Sequence, residues 1–492
     1  MPRWLRTAAI AAAAVIVVLE LVLLALALGA PTLVTAARFS TLRADYTALR
    51  SFLGRMPKGA DLHVHLSGAV YVEDLIGWAN AKGLCVRPAD FTILAPPCDE
   101  KAPPIAQALD PKRQELYDDI VNALSMRFFT PSAATPSRHD QFFATFGRVS
   151  AVTWQIVPEM TAERLRHYAA DAVQHTELML TLIHPDYRAK AIKAIENERN
   201  FAARLAILKA NDLDGAVNDA RQMIDGWSTA IDADLGCDAA REKPGCDVSY
   251  RYIAQVNRNA DEVDVFVQTA FAAALIRVDP RVVGLNFVGP EDFRVAREDY
   301  SRHMAMIGLL ARDVPVALHA GELWLGLVPP RDLTFHIREA VEVAGARRIG
   351  HGVTLAFEGS DTLLKEMRER EIAIEVALTS NDVILGVRGK EHPLPAYWAA
   401  GVPVVLATDD AGVSRIDLTN EYVRAARDYR FGYRDLKAIA RNSLTYSFLS
   451  APEKQAALAR FDRSSDEFER TVVAERSVLA NMAALIAGLF AR

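Results

Sequence analysis

From about residue 59 the chain alternates short apolar runs with longer amphipathic stretches, the pattern of repeated strand–helix units. Eight such runs are predicted as strands. They lie at 59–65, 175–183, part of 263–276, 282–288, 314–318, 347–350, 372–378 and 402–407. Several are continuous in Val and Ile, as expected of strands buried on both faces. Eight units of this kind predict an α/β protein folded as a closed (β/α)8 TIM-like barrel, with its chemistry at the C-terminal strand ends. Two stretches interrupt the minimal pattern. Residues 85–136 are rich in Pro and read as a tied loop plus a helix; residues 211–250 read as a helix followed by a second tied loop. Both are expected as insertions on the barrel. A last helix is predicted at about 464–490.

The first residues follow a different rule. Arg3 and Arg6 precede an apolar stretch from Ala8 to Leu28 that only Glu20 interrupts. A basic flank and an apolar run of ~20 residues predict an export signal or an N-terminal membrane anchor, with the rest of the chain outside the cytoplasm. A buried N-terminal helix is the alternative, but the apolar residues run all round rather than in a stripe. Val34-Thr35-Ala36-Ala37 offers a small-residue cleavage site, so residues 1–37 are expected as signal or anchor and 38–492 as the barrel. The predicted location is a bacterial periplasm, with the chain free or anchored in the inner membrane facing it.

Cysteine usage agrees with export. The four cysteines form two local groups, Cys85 with Cys98 and Cys237 with Cys246, each in Pro/Gly/Asp-rich sequence. Two local disulfides are the simplest of three connectivities and suit an oxidising compartment. Four free thiols are the alternative for a cytosolic chain, and the spacing is not that of a zinc ribbon. Composition changes the picture little: 492 residues, 51% hydrophobic, with 56 basic and 62 acidic side chains, allow a large core. A net charge of −6 without a long basic run argues against a nucleic-acid partner.

Four of the predicted strands end in metal-type residues. The motifs are Asp61-Leu62-His63-Val64-His65, Leu318-His319-Ala320-Gly321-Glu322, Ile349-Gly350-His351-Gly352 and Ala407-Thr408-Asp409-Asp410. His63 and His65 stand two apart on a strand, so both rings face the same side. With His319 and Asp409 they make a three-nitrogen, one-oxygen set that suits one zinc ion and leaves a position for water. Such an ion brings the water's pKa to about 7. Glu322, on the loop leaving the same strand as His319, is placed to protonate a nitrogen or, alternatively, to cap the next helix. His351, between glycines, is placed to orient or deprotonate the water, or is simply a buried histidine. Asp410 beside Asp409 allows one acid to bind metal and the other to face substrate.

This ordered set resembles the adenosine deaminase family of the amidohydrolase superfamily, including its secreted, growth-factor-like branch. The resemblance runs from about Gly59 to Tyr422 and is closest at 318–322, 348–352 and 402–410. It implies that His63, His65, His319 and Asp409 bind zinc. It implies further that Glu322 protonates purine N1, that His351 positions the hydroxide, and that Asp410 bonds the N7 edge. Gly289, after the fourth strand, matches the glycine whose backbone donates to N3. Phe142, Phe143 and Phe146 resemble the segment lining the substrate entrance, though core packing explains them equally well.

Several positions depart from the family pattern. Ser67 stands where adenosine-specific members commonly carry Asp, and Asn286 replaces a frequent Asp. Ala411-Gly412 replaces the usual proline, and Leu378-Thr379-Ser380-Asn381 keeps only Ser-Asn of a more usual Cys-Pro-x-Ser-Asn. The expected activity is hydrolytic deamination of adenosine and 2′-deoxyadenosine. Adenine or another aminated purine is the alternative substrate. The rival classes are another mononuclear amidohydrolase and a catalytically silent extracellular purine-binding protein. A strand-four lysine, the bridge of binuclear relatives, is absent from 282–292.

Overall fold

A computed structural model describes residues 30–475, 480–483 and 485–486. Among these are a small antiparallel hairpin and eight parallel strands in two sheets of four. The first sheet comprises β1 (Gly59–His65), β4 (Val173–Leu180), β5 (Ser249–Asn257) and β6 (Val282–Val288), in the order β1-β4-β5-β6. The second comprises β7 (Ala317–Ala320), β8 (Arg348–His351), β9 (Ala373–Val376) and β10 (Val404–Leu406), in the order β10-β9-β8-β7. Single parallel bridges join the sheets at both edges, Leu285 with Val316 and Val64 with Asp409. The hairpin is β2 (Cys85–Arg87) with β3 (Thr92–Leu94).

Strand alternation explains how one segment serves both core and site. On β1, Ala60, Leu62 and Val64 enter the main apolar core, while Asp61, His63 and His65 occupy the other face. That second face is polar on the neighbouring strands too. Arg348 of β8 is fully buried between Glu177 of β4 and Glu375 of β9, hydrogen-bonding both. Asp61 is satisfied by Tyr168 Oη (2.9 Å) and Thr408 Oγ1 (2.7 Å). The strands therefore enclose a layer of paired charges, because an unpaired charge at that depth is prohibitively costly.

One predicted strand is corrected. Residues 262–278, expected in part as the third strand, are the helix Glu262–Val278. Asp261 caps it, accepting from Asp264 N–H (3.1 Å), and the Ala-rich turn Phe271-Ala272-Ala273-Ala274 favours helix. Its apolar residues run all round because it is buried nearly all round. The true third strand, β5, reads Ser-Tyr-Arg-Tyr-Ile-Ala-Gln-Val-Asn, and its polar side chains disguise it.

Both insertions contain the tied loops. Cys85–Cys98 and Cys237–Cys246 are disulfide-bonded, followed in the first case by the helix Gln114–Ala123 and preceded in the second by the helix Leu213–Leu235. β5 begins at Ser249, just inside the expected end of the second insertion.

The apolar stretch 8–28 of the predicted export segment lies outside the described residues, and so do 476–479, 484 and 487–490 of the predicted last helix. The helix Ala451–Ala474 precedes them and packs on the helix Pro31–Leu42, where Thr32 Oγ1 donates to Glu469 (2.7 Å) and Val34 and Thr35 are buried. The small-residue motif 34–37 sits inside that helix. Among the described residues, no helix is long and apolar enough to cross a membrane.

Candidate metal centre and active site

Strand ends carry the four sequence-predicted ligands to one point. His63 and His65 come from β1, His319 from β7, and Asp409 from the turn after β10, and one ligand atom of each lies within 4.8 Å of the others. His63 Nε2 and His65 Nε2 stand 3.0 and 3.1 Å from His319 Nε2. Asp409 Oδ1 is 3.6 Å from His63 Nε2 and 3.4 Å from His65 Nε2. Asp409 holds a left-handed backbone (φ 60°), a conformation costly for a non-glycine residue and characteristic of functional sites.

Supporting groups aim the rings. His63 Nδ1 hydrogen-bonds Glu375 Oε2 (2.8 Å), and His319 Nδ1 hydrogen-bonds Asn286 Oδ1 (2.9 Å). Each ring therefore turns Nε2, with its lone pair, inward. Two inward lone pairs at such distances repel unless a cation lies between them, and Asp409 Oδ1 has no hydrogen-bond partner. The donor set thus fits a divalent metal ion, and carboxylate- or amide-backed imidazoles are the usual second layer of such a site. Burial lowers His65 to about 4 and, with the neighbouring rings, takes His319 well below its ordinary value. At His63 burial acts downward too, but Glu375 and Asp409 outweigh it and raise the pKa.

Glu322, His351 and Asp410 surround this point. The three carboxylate and ring atoms of Glu322, His351 and Asp409 form a second group within 4.8 Å. The Gly321 and Glu322 N–H groups both donate to the Glu291 carboxylate (2.9 and 2.8 Å), which pins the loop. Glu322 Oε1 is buried without a partner, and burial, with Asp409 and Glu291, raises its carboxyl well above the ordinary range. Burial likewise raises Asp410, helped by adjacent Asp409, and its Oδ1 has no partner. Burial holds His351 down at about 3, so its ring is neutral. Glycine is obligatory at two of these approaches. A Cβ on Gly350 falls 2.5 Å from the His63 ring, and one on Gly68 falls 1.8 Å from Asp410 Oδ1.

A cavity of about 680 Å³ opens onto the cluster. His65, His319, Glu322, Asp409, Asp410 and Gly289 line its floor; His63 and His351 are buried and do not. Phe142, Phe143 and Phe146, on the helix Arg138–Val149, form one wall with Trp154, and Phe142 also packs on Ile384 and Val413. These aromatics both line the cavity and pack in an apolar cluster. Ser67, Gln255, Asn257, Gln268 and Arg188 supply the polar remainder.

The adenosine deaminase family model matches residues 141–464, well over half of the chain. The chain belongs to the adenosine deaminase family. An adenosine deaminase of Enterococcus faecalis is 32% identical over 152 residues, covering 31% of this chain but only 42% of that enzyme. Adenosine deaminase 2-A of Danio rerio is 24% identical over 440 residues, covering 84% of this chain and 80% of the relative. A crystal structure of an amidohydrolase from Burkholderia ambifaria with bound Zn superposes with a TM-score of 0.57 at 17% identity, over 87% of this chain and 95% of that one. At that identity the likeness speaks for the fold alone.

Sequence reasoning passed over the supporting layer. Glu375, a lone acid within Ala-Ile-Glu-Val, and Glu291, in a loop after β6, carried only a weak signal as buried acids in apolar surroundings. Asn286 is legible in the sequence as a departure from the family pattern, not as the partner of His319. Gln255 and Asn257 stand on β5, whose polar side chains hide it as a strand.

Proposed function

We propose that the chain is an exported, zinc-dependent deaminase of purine nucleosides, converting adenosine and 2′-deoxyadenosine with water into inosine or its deoxy counterpart and ammonia. The observation that carries this reading is a cluster of four convergent ligand atoms, three of its residues lining one cavity floor beside an acid favouring its protonated form and a second such acid. In this reading the two edge-joined sheets form a closed (β/α)8 barrel whose C-terminal rim is the site, and the predicted export segment and the two disulfides support an oxidising compartment.

His63, His65, His319 and Asp409 hold one zinc ion, which supplies the Lewis acidity that makes water nucleophilic at neutral pH. Protonated Glu322 donates its proton to purine N1, withdrawing electron density from C6 so that a C–O bond forms there. Of the two protons the water gives up, one returns to the Glu322 carboxylate and one goes to the amino group, which leaves as ammonia as the C–N bond breaks. Protonated Asp410 donates to N7, an acceptor, which a carboxylate could not do. The Gly289 backbone N–H donates to N3. His351 positions the attacking oxygen.

Charge on the cavity wall favours a nucleoside over its 5′-phosphate. Arg188 is held by both Asp264 oxygens (2.6 and 2.5 Å), and His139 by Asp292 (3.0 Å). Phosphate entering there finds acids and no free cation among the described lining residues. A volume of about 680 Å³ likewise favours a ligand larger than a bare base.

The test is ammonia release from adenosine, 2′-deoxyadenosine, adenine and AMP by purified, zinc-loaded protein. Both nucleosides are expected to lead adenine and AMP in kcat/KM by ~10²-fold or more, because the competitors lose or mismatch buried polar contacts. Preference for adenine or AMP overturns the substrate assignment, and saturable adenosine binding without turnover favours the silent purine-binding alternative.

A further inference from the structure

Behind the metal cluster, a row of buried groups ends on His351. The Leu394 backbone N–H donates to His392 Nδ1 (3.1 Å), His392 Nε2 meets Asn381 Oδ1 (3.0 Å), and Asn381 Nδ2 meets His351 Nδ1 (2.9 Å). All three side chains are buried.

The row has one consistent set of protons. A backbone amide only donates, so His392 Nδ1 carries no hydrogen. An imidazole keeps at least one, which must sit on Nε2 and point at Asn381. Two donors cannot face each other, so Asn381 turns its carbonyl oxygen to His392 and its NH₂ to His351. His351 Nδ1 is then an acceptor, and the ring's proton sits on Nε2.

That proton is aimed at the site. His351 Nε2 lies 4.0 Å from Asp409 Oδ2 and has no partner within the protein. The ring is held by burial and by the Asn381 bond, over a backbone fixed in left-handed conformations at His351 and Gly352 (φ 67° and 60°), where Tyr397 Oη donates to Gly352 O (2.8 Å). Glu322 Oε1 is 3.5 Å from Nδ1, too far to compete with the amide, which leaves Glu322 free for substrate.

We infer that Asn381 and His392 are positioning residues that lock His351 in the Nε2–H tautomer, making it a hydrogen-bond donor to the attacking oxygen and not the base that first deprotonates it. This rests on the deaminase reading above and, of the two roles the sequence leaves to His351, orienting or deprotonating the water, assigns the first.

The test uses full-length protein labelled with ¹⁵N-histidine, with and without zinc, and His351→Gln to assign the resonances. In the wild type, Nδ1 of His351 is expected to resonate as an unprotonated nitrogen and Nε2 as a protonated one. Asn381→Asp places a carboxylate that accepts from both rings. It is expected to move the His351 proton to Nδ1 and to lower kcat by ~10²–10⁴-fold, the span of acid–base contributions, while KM and zinc content hold.

A second pair of variants guards against misfolding of the first. His392→Gln keeps a donor toward Asn381 and is expected to retain the tautomer and most of kcat; His392→Leu is expected to lose both. A wild-type spectrum with Nδ1 protonated overturns the inference, as does Asn381→Asp that switches the tautomer without slowing turnover. If the wild type deaminates no purine, the function assignment falls, but the ¹⁵N spectrum still decides the tautomer.

Discussion

Single atoms at this site are defined by what stands behind them. Glu322 has no partner on Oε1, whereas the groups that hold its loop and shift its carboxyl are all in place. Glu322→Gln, of the same shape but unable to give up a proton, is expected to keep its metal and lose ~10²–10⁴-fold in kcat, read by metal analysis beside steady-state kinetics. The rings offer a paired experiment. His63 leans on a carboxylate, Glu375, and His319 on a neutral amide, Asn286. Removing the charge with Glu375→Gln is expected to weaken zinc affinity by ~10–100-fold, and adding one with Asn286→Asp to strengthen it. Competition with a chelator measures both. Equal shifts of the same sign would show that shape, not charge, is what these partners provide.

At the scale of elements, the helix Glu262–Val278 matters most, because its misreading hid part of the cavity. Its first turns carry Asp264, which neutralises Arg188, and Gln268, which donates to Asp264 Oδ1 (3.0 Å) and accepts from Asn257 N–H (3.1 Å). A helix thus sets both the charge of the wall and the end of β5. Asp264→Asn frees the Arg188 guanidinium, and the ratio of AMP to adenosine kcat/KM is expected to rise about tenfold, one charge-assisted hydrogen bond's worth, with new salt sensitivity. An unchanged ratio across ionic strengths would mean that Arg188 does not face the sugar end of the ligand. The turn glycines make the complementary point. Gly350→Ala drives a methyl into the His63 ring, so metal content is expected to fall before stability does.

The whole molecule is held partly by charges buried between strands. Burial alone raises the Glu177 carboxyl, but Arg348 and His175 outweigh it and hold it at about 2. Glu291 sits at about 2 as well, where His336 and Arg258 overcome burial. Both folded values lie below the unfolded one, near 4.3. These groups therefore add stability above about pH 4, and it drains away as pH falls toward 2. Melting curves across that window are expected to show a steep decline. Glu177→Gln is expected to be less stable at pH 7, with Arg348 half-paired, and less steep in acid. A parallel decline for variant and wild type would assign the acid sensitivity to other carboxylates.

What the order of residues alone determined follows from local rules. Period-two alternation put His63 and His65 on one face of β1, strand-end position marked His319, His351 and Asp409, and loop-rich spacing marked Cys85 with Cys98 and Cys237 with Cys246. Seven of the eight parallel strands were legible, several as Val/Ile-rich runs and the others from the alternation of strand-like and amphipathic stretches and from the motifs at their ends. The eighth was not, since Arg251 of β5 pairs with Glu453 of the helix Ala451–Ala474 and Gln255 donates to Thr181 just past β4, while the helix beside it is apolar on every side because the fold covers every side. Only tertiary structure decided the supporting layer. Glu375 beneath His63, Asn286 beneath His319, and Asn381 and His392 behind His351 come from distant segments. Hydrogen bonds that span anything from 11 to 312 residues leave no periodicity to read, because what selects their members is a shared, dry interior in which an unpaired polar atom is costly.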